Sequence, residues 1–108
     1  MYEIYALLAK VGITSKYKGY DYIAAAVKYL LDRPNKRISV TKELYPELGK
    51  MFHVPPTRVE QNIRFTINTV WEKRKGQLEK YTGTEYETRP TNAEFLTVLA
   101  GILQSQKD

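Results

Sequence analysis

The apolar positions of this chain recur every three or four residues almost throughout, the spacing of helices that bury one face. Ile4, Leu7, Leu8 and Val11 predict a short first helix, with Gly12 as its stop. Ile23, Ala26, Val27, Leu30 and Leu31 form a continuous stripe and predict a second helix from about Gly19 to Asp32, closed by Pro34. Arg33 to Ser39 reads as a polar loop. A third helix is expected after Thr41, an N-cap residue type, with Leu44, Leu48, Met51 and Phe52 as its buried face. Pro46 must bend that helix unless it falls in the first turn. His53-Val54-Pro55-Pro56-Thr57 breaks the chain and restarts it. Either Pro56 takes the first position of the next helix, or Thr57 and Glu60 form a capping box. The fourth helix is the longest, about Pro56 to Lys75, with Gly76 ending it and TGTEYETR as a loop. Thr91 and Glu94 make a capping box for a last helix, whose stripe is Phe95, Val98, Leu99, Ile102 and Leu103. The tail QSQKD should fray. The nearest strand-like segment, ISVT at 38–41, is too short and isolated to count. The expected fold is all-α, one domain over 1–108 of about five to six helices, without repeats or an internal linker.

The third and fourth helices, joined by a tight turn, make a central helix-turn-helix over about 41–75. At about 100° per residue, Val59, Ile63, Thr66, Ile67 and Val70 share one arc of the fourth helix, the core face. The opposite arc carries Thr57, Arg58, Gln61, Arg64, Phe65 and Asn68. Arg58 and Arg64 are the residue type that binds guanine O6 and N7 bidentately, and Gln61 the type that binds adenine N6 and N7. Glu60, at the edge of this face, can accept from cytosine N4 or orient a neighbouring arginine. Phe65 suits a thymine methyl. An ordinary solvated face accounts for the polar residues but poorly for an outward Phe65, unless a neighbouring helix covers the ring. Base-contact candidates are therefore Arg58, Glu60, Gln61, Arg64 and Phe65. Phosphate-contact candidates are Lys36 and Arg37 in the preceding loop, Thr41 and Lys42 at the start of the motif's first helix, and Thr57 at the start of the second. Lys73, Arg74 and Lys75 come too late to follow that N-terminus into a groove, and suit the helix C-terminal dipole instead.

Charge sharpens this picture. The net charge of the 108 residues is +5, and its distribution is uneven. Arg33 to Lys75 carries ten Lys or Arg against four Glu; the rest of the chain carries seven basic residues against eight acidic ones. A polyanion such as double-stranded DNA fits a basic middle, although a basic surface kept for solubility accounts for the same numbers. With no cysteine there is neither a disulfide framework nor a cysteine metal site. No apolar run spans a membrane and no signal peptide begins at Met1, so a cytoplasmic location is expected.

Several blocks together, KGYDYIAAAVKYL, TKELYPELGKMF, TRVEQNIRFTINTVW and RPTNAEF, resemble the C-terminal effector domain of the master response regulator of endospore formation. They occur in the family's order and near its spacing, from about Ile13 to Leu103. The resemblance implies an all-helical domain of about six helices with a central helix-turn-helix. It implies binding to a short promoter box, usually as two copies in tandem, and activation or repression of early sporulation genes. It assigns base reading to the helix starting near Thr57, where Arg58, Glu60 and Arg64 match the family's residue types. Gln61 stands in place of an arginine and Phe65 in place of a histidine, which implies an altered box. The stretch between Trp71 and Pro90 is shorter than the family's, in a neighbourhood that there helps contact RNA polymerase. The family's N-terminal receiver domain is not in this chain, as in a trimmed or a stand-alone effector.

An enzyme is not expected. The lone histidine, His53, sits in the turn, and no zinc-protease motif, glycine-rich phosphate loop or nucleophile elbow occurs. No catalytic residue, metal, cofactor or small-molecule substrate is expected. Nine tyrosines raise RNA stacking, but Tyr20, Tyr22, Tyr29 and Tyr45 lie within amphipathic helices and read as packing, and no RNA-module signature accompanies them. The competing reading is a protein-interaction module that pairs with a full-length regulator through outward small residues of the last helix, Thr97 and Gly101, and binds DNA weakly or not at all.

Overall fold

A computed structural model describes residues 1–107 and contains, in chain order, α1 (Tyr2–Lys10), α2 (Tyr20–Leu31), a π-helical turn (Val40–Leu44), α3 (Tyr45–Phe52), α4 (Pro56–Thr82) and α5 (Asn92–Lys107). Among the described residues there is no strand, so the all-α expectation holds. α5 lies chiefly against α2 and α4, with α1 closing the same core. Ile4, Leu8, Ile23, Val27, Leu44, Leu48, Ile63, Ile67, Phe95 and Leu99 meet in its centre. Each such side chain, moved fully out of water, contributes about 1.5–3 kcal/mol before entropy is counted.

Local chemistry sets most of the helix ends. α1 stops at Gly12, as its sequence predicts. Gly12 takes φ +93°, its N–H donates to the Ala9 carbonyl, and Ile13 N–H donates to the Leu8 carbonyl at 2.8 Å. These bonds satisfy two carbonyls that a helix end would otherwise strand. α5 begins with the expected capping box. Thr91 N–H donates to Glu94 Oε1 at 2.9 Å, and Glu94 N–H donates to Thr91 Oγ1 at 3.1 Å. The Thr91 backbone N–H, and then its hydroxyl, hold the Glu94 carboxyl below its ordinary range. A hydrogen bond from the Tyr29 hydroxyl, more than the nearby Lys36, does the same for Glu43. A carboxylate held low adds stability above its unfolded value near 4.5 and loses it as pH falls through the lowered folded value. Acid melts should therefore show a stability loss below about pH 4.5. It should shrink in Glu94→Gln, which keeps the bond without titrating, and an unchanged profile would show that Glu94 contributes nothing to it.

Three elements differ from the sequence reading. Ser39, not Thr41, caps the third helix: its Oγ accepts from Lys42 N–H at 3.1 Å. The chain then winds wide, with Leu44 N–H donating to the Ser39 carbonyl and Tyr45 N–H to the Val40 carbonyl. Pro46, which has no N–H to give, falls in the first turn of α3 and does not bend it. Met51 is exposed, while Phe52 packs edge-on against Tyr22, with ring centroids 4.9 Å apart. Gly76 does not end α4. The helix breaks locally at Arg74 (φ −141°, ψ 36°) and runs on to Thr82, where Gly83 at φ +70° ends it. Leu78, fully buried, anchors this second segment, so tertiary burial overrides the glycine's weak helix preference. Lys73, Arg74 and Lys75 thus flank the break, where the first helical segment ends and the second begins.

Candidate nucleic-acid interface

The turn between α3 and α4 is short because two residues permit it. His53 adopts the left-handed region (φ 58°, ψ 45°), and Val54 N–H reaches back to the Gly49 carbonyl at 2.9 Å. A Cβ on Gly49 would sit 2.7 Å from the Val54 carbonyl oxygen, so the turn requires a glycine there. α4 then starts with Pro56 in its first turn, after an extended Pro55, and no side chain caps it. The Thr57–Glu60 capping box does not form, and Glu60 is engaged elsewhere. Thr57 stands exposed in the first turn, where Pro56 has no N–H to offer and the Arg58 N–H is given to the Pro55 carbonyl at 3.0 Å.

The rotation of α4 follows the apolar pattern. Val59, Ile63, Thr66, Ile67 and Val70 are buried, and Arg58, Gln61, Arg64 and Phe65 are exposed. No neighbouring helix covers Phe65, which is 62% exposed. Glu60 is half-buried and bonds Arg64, with Oε2 3.1 Å from Nε. That contact holds the guanidinium beside a carboxylate one turn back on the same helix. The five base-contact candidates therefore share one face and its edge. Thr41 and Lys42 are exposed on the π-helical turn, but the Lys42 N–H is already taken by Ser39. Lys36 and Arg37 lie elsewhere: they line a depression with Ile38, Thr97, Ala100 and Gly101, against α5. Lys36 Nζ also sits 3.6 Å from Glu43.

Buried polar groups hold this face in place, and nothing in the local sequence marks them. Asn92, at the start of α5, donates from Nδ2 to the Tyr45 hydroxyl at 3.0 Å and to the Glu60 carbonyl at 3.2 Å. One amide thus ties α5 to both helices of the motif. Burial raises the Tyr45 pKa, so its hydroxyl stays neutral. On the other flank, Thr66 Oγ1 donates to the Asn62 carbonyl at 2.9 Å and accepts from Gly19 N–H at 3.1 Å. This brings the loop before α2 against α4. Lys16, Tyr17 and Lys18 consequently line a depression of about 420 Å³ with Gln61, Asn62 and Phe65. In sequence this loop shows only two lysines before a glycine, with no sign of the helix it meets.

Among the described residues, no group of three or more His, Asp or Glu side chains is placed to hold a metal ion, and no helix is long and apolar enough to cross a membrane. The family described as "Sporulation initiation factor Spo0A C terminal" matches residues 4–103. That span covers both helices of the motif and the helices that support them. The chain belongs to the Spo0A C-terminal family of sporulation initiation factors, DNA-binding regulatory domains of transcription.

Proposed function

We propose that this domain binds double-stranded promoter DNA in a sequence-specific manner by inserting the N-terminal half of α4 into the major groove. The observation that carries the reading is the outward face of that helix. Arg58, Gln61, Arg64 and Phe65 are exposed side by side, while the opposite face is locked in the core. Arg58 and Arg64 contact guanine, with Glu60 orienting Arg64 through the 3.1 Å ion pair. Gln61 contacts adenine, and Phe65 packs on a thymine methyl. Thr57, Thr41 and Lys42 hold phosphates near the groove, and Lys36 and Arg37 hold them further out. These contacts set register without reading sequence.

The resemblance of the KGYDYIAAAVKYL and TRVEQNIRFTINTVW blocks to the sporulation regulator supports a promoter box of that type, bound by two copies in tandem, with RNA polymerase as a further partner. Gln61 and Phe65 support a changed preference within the box, because glutamine replaces a guanine-reading arginine and phenylalanine replaces a hydrogen-bonding histidine. The domain acts as a regulator and not as an enzyme. Its test is the relative affinity for a duplex carrying the box and for a scrambled duplex of equal length. Preference for the box is expected.

A further inference from the structure

We infer that the Thr14–Lys18 loop is a second phosphate clamp, in which Lys16 and Lys18 grip the DNA backbone along the Gln61–Phe65 flank of α4. The inference rests on the groove reading above and adds a contact that the motif itself does not contain.

The first support is position. Glu60 and Arg64 lie along one side of the outward face of α4, where Tyr45 and Asn92 pack. At about 100° per residue, Gln61, Phe65 and Asn62 lie progressively towards the other side. Lys16, Tyr17 and Lys18 border that second side. A helix is about 10–12 Å across with its side chains, and the major groove is about 12 Å wide. An inserted helix therefore fills the groove, and whatever borders its outward face meets a phosphate rail.

The second support is rigidity. The loop is fastened next to its lysines by the buried bond from Gly19 N–H to Thr66 Oγ1. A Cβ on Gly19 would lie 2.4 Å from that oxygen and 2.6 Å from the Asn62 carbonyl oxygen. Only glycine allows so close an approach of loop to helix. Little ordering entropy is then left for the loop to lose on binding.

The third support is chemistry. Both lysines are exposed, and among the described residues neither forms an ion pair. The Lys16 ammonium lies 5.5 Å from the centre of the Tyr17 ring. Phe65 and Tyr17 give the depression aromatic lining, and Lys16 and Lys18, which line it too, give it positive charge. Two lysines beside the outward face of α4, unpaired among the described residues, suit adjacent phosphates of the backbone that runs past it.

The experiment is a salt titration of the Lys16→Gln/Lys18→Gln double variant against the box duplex and the scrambled duplex, read by fluorescence anisotropy beside the wild type. Each phosphate contact contributes about −0.9 to the slope of log K against log salt. The variant should bind both duplexes more weakly by a similar factor, on the order of tenfold or more at about 0.1 M salt, with a slope shallower by about two. Its preference for the box should be unchanged, and its circular dichroism melt should match the wild type. Wild-type affinity and slope in the variant would overturn the clamp while leaving the groove reading intact. A loss confined to the box duplex would also overturn it, since backbone contacts cannot discriminate sequence. A wild-type protein that binds neither duplex would overturn the groove reading and the clamp together.

Discussion

Replacing Arg58 or Arg64 by alanine should remove most of the domain's preference for its box, and replacing both should abolish it, without unfolding the protein. A bidentate arginine–guanine pair is worth about 1–3 kcal/mol of base discrimination, or roughly 5- to 150-fold. Both side chains are exposed, so their loss opens no cavity. The Arg64–Glu60 pair joins residues one turn apart, with Arg64 more than half exposed, and such pairs add only a few tenths of a kcal/mol. Affinity for a scrambled duplex should fall much less than affinity for the box. The two effects are separated by measuring both affinities and the thermal melt of each variant. Undiminished preference in the double variant, with the fold intact, would remove the outward face of α4 from base reading.

The largest structural effect should come from Ile63→Asp. Ile63 is fully buried midway along the inward face of α4, between Val59 and Ile67. Truncating such a side chain costs about 2–5 kcal/mol, and the new carboxylate also leaves water without a partner. Against a total stability of about 5–15 kcal/mol, the sum leaves little or no folded protein. The variant should lose its cooperative melt and much of its helical circular dichroism. Phe65→Asp, two residues on but exposed, should keep both. If Ile63→Asp melts like the wild type, α4 turns a different face to the core.

These predictions rest on parts of the molecule that short-range pattern reveals. The inward stripe of α4, the Gly12 stop and the Thr91–Glu94 box are each defined by residues within a few positions of one another, so their chemistry is readable from the chain. What the sequence conceals is long-range. Asn92 is an unremarkable polar residue until α5 docks and its amide meets Tyr45 and Glu60. Gly19 looks like a helix boundary until Thr66, 47 residues away, is found against its N–H. Leu96 falls between the expected stripe positions yet is fully buried, because α5 packs on more than one neighbour. Two local readings fail for reasons that packing supplies. Thr41 is a sound cap residue, but Ser39 takes the role ahead of the wide turn that precedes Pro46. Gly76 is a sound stop, but Leu78 draws the chain back into the core. The face of α4 is therefore legible in the sequence, while its buttresses and the lysine loop beside it are not.

The central claim is that this face reads sequence. It is tested most directly by fluorescence anisotropy with two labelled duplexes, one bearing a sporulation-type promoter box and one scrambled, across a salt titration. Binding to the box should be tighter, by about 10³-fold or more, with affinity falling steeply as salt rises. Equal and salt-sensitive binding to both duplexes would contradict recognition of that box and point first to Gln61 and Phe65. Binding to neither at low salt would contradict the claim altogether and favour a protein-interaction module built on Thr97 and Gly101 of α5.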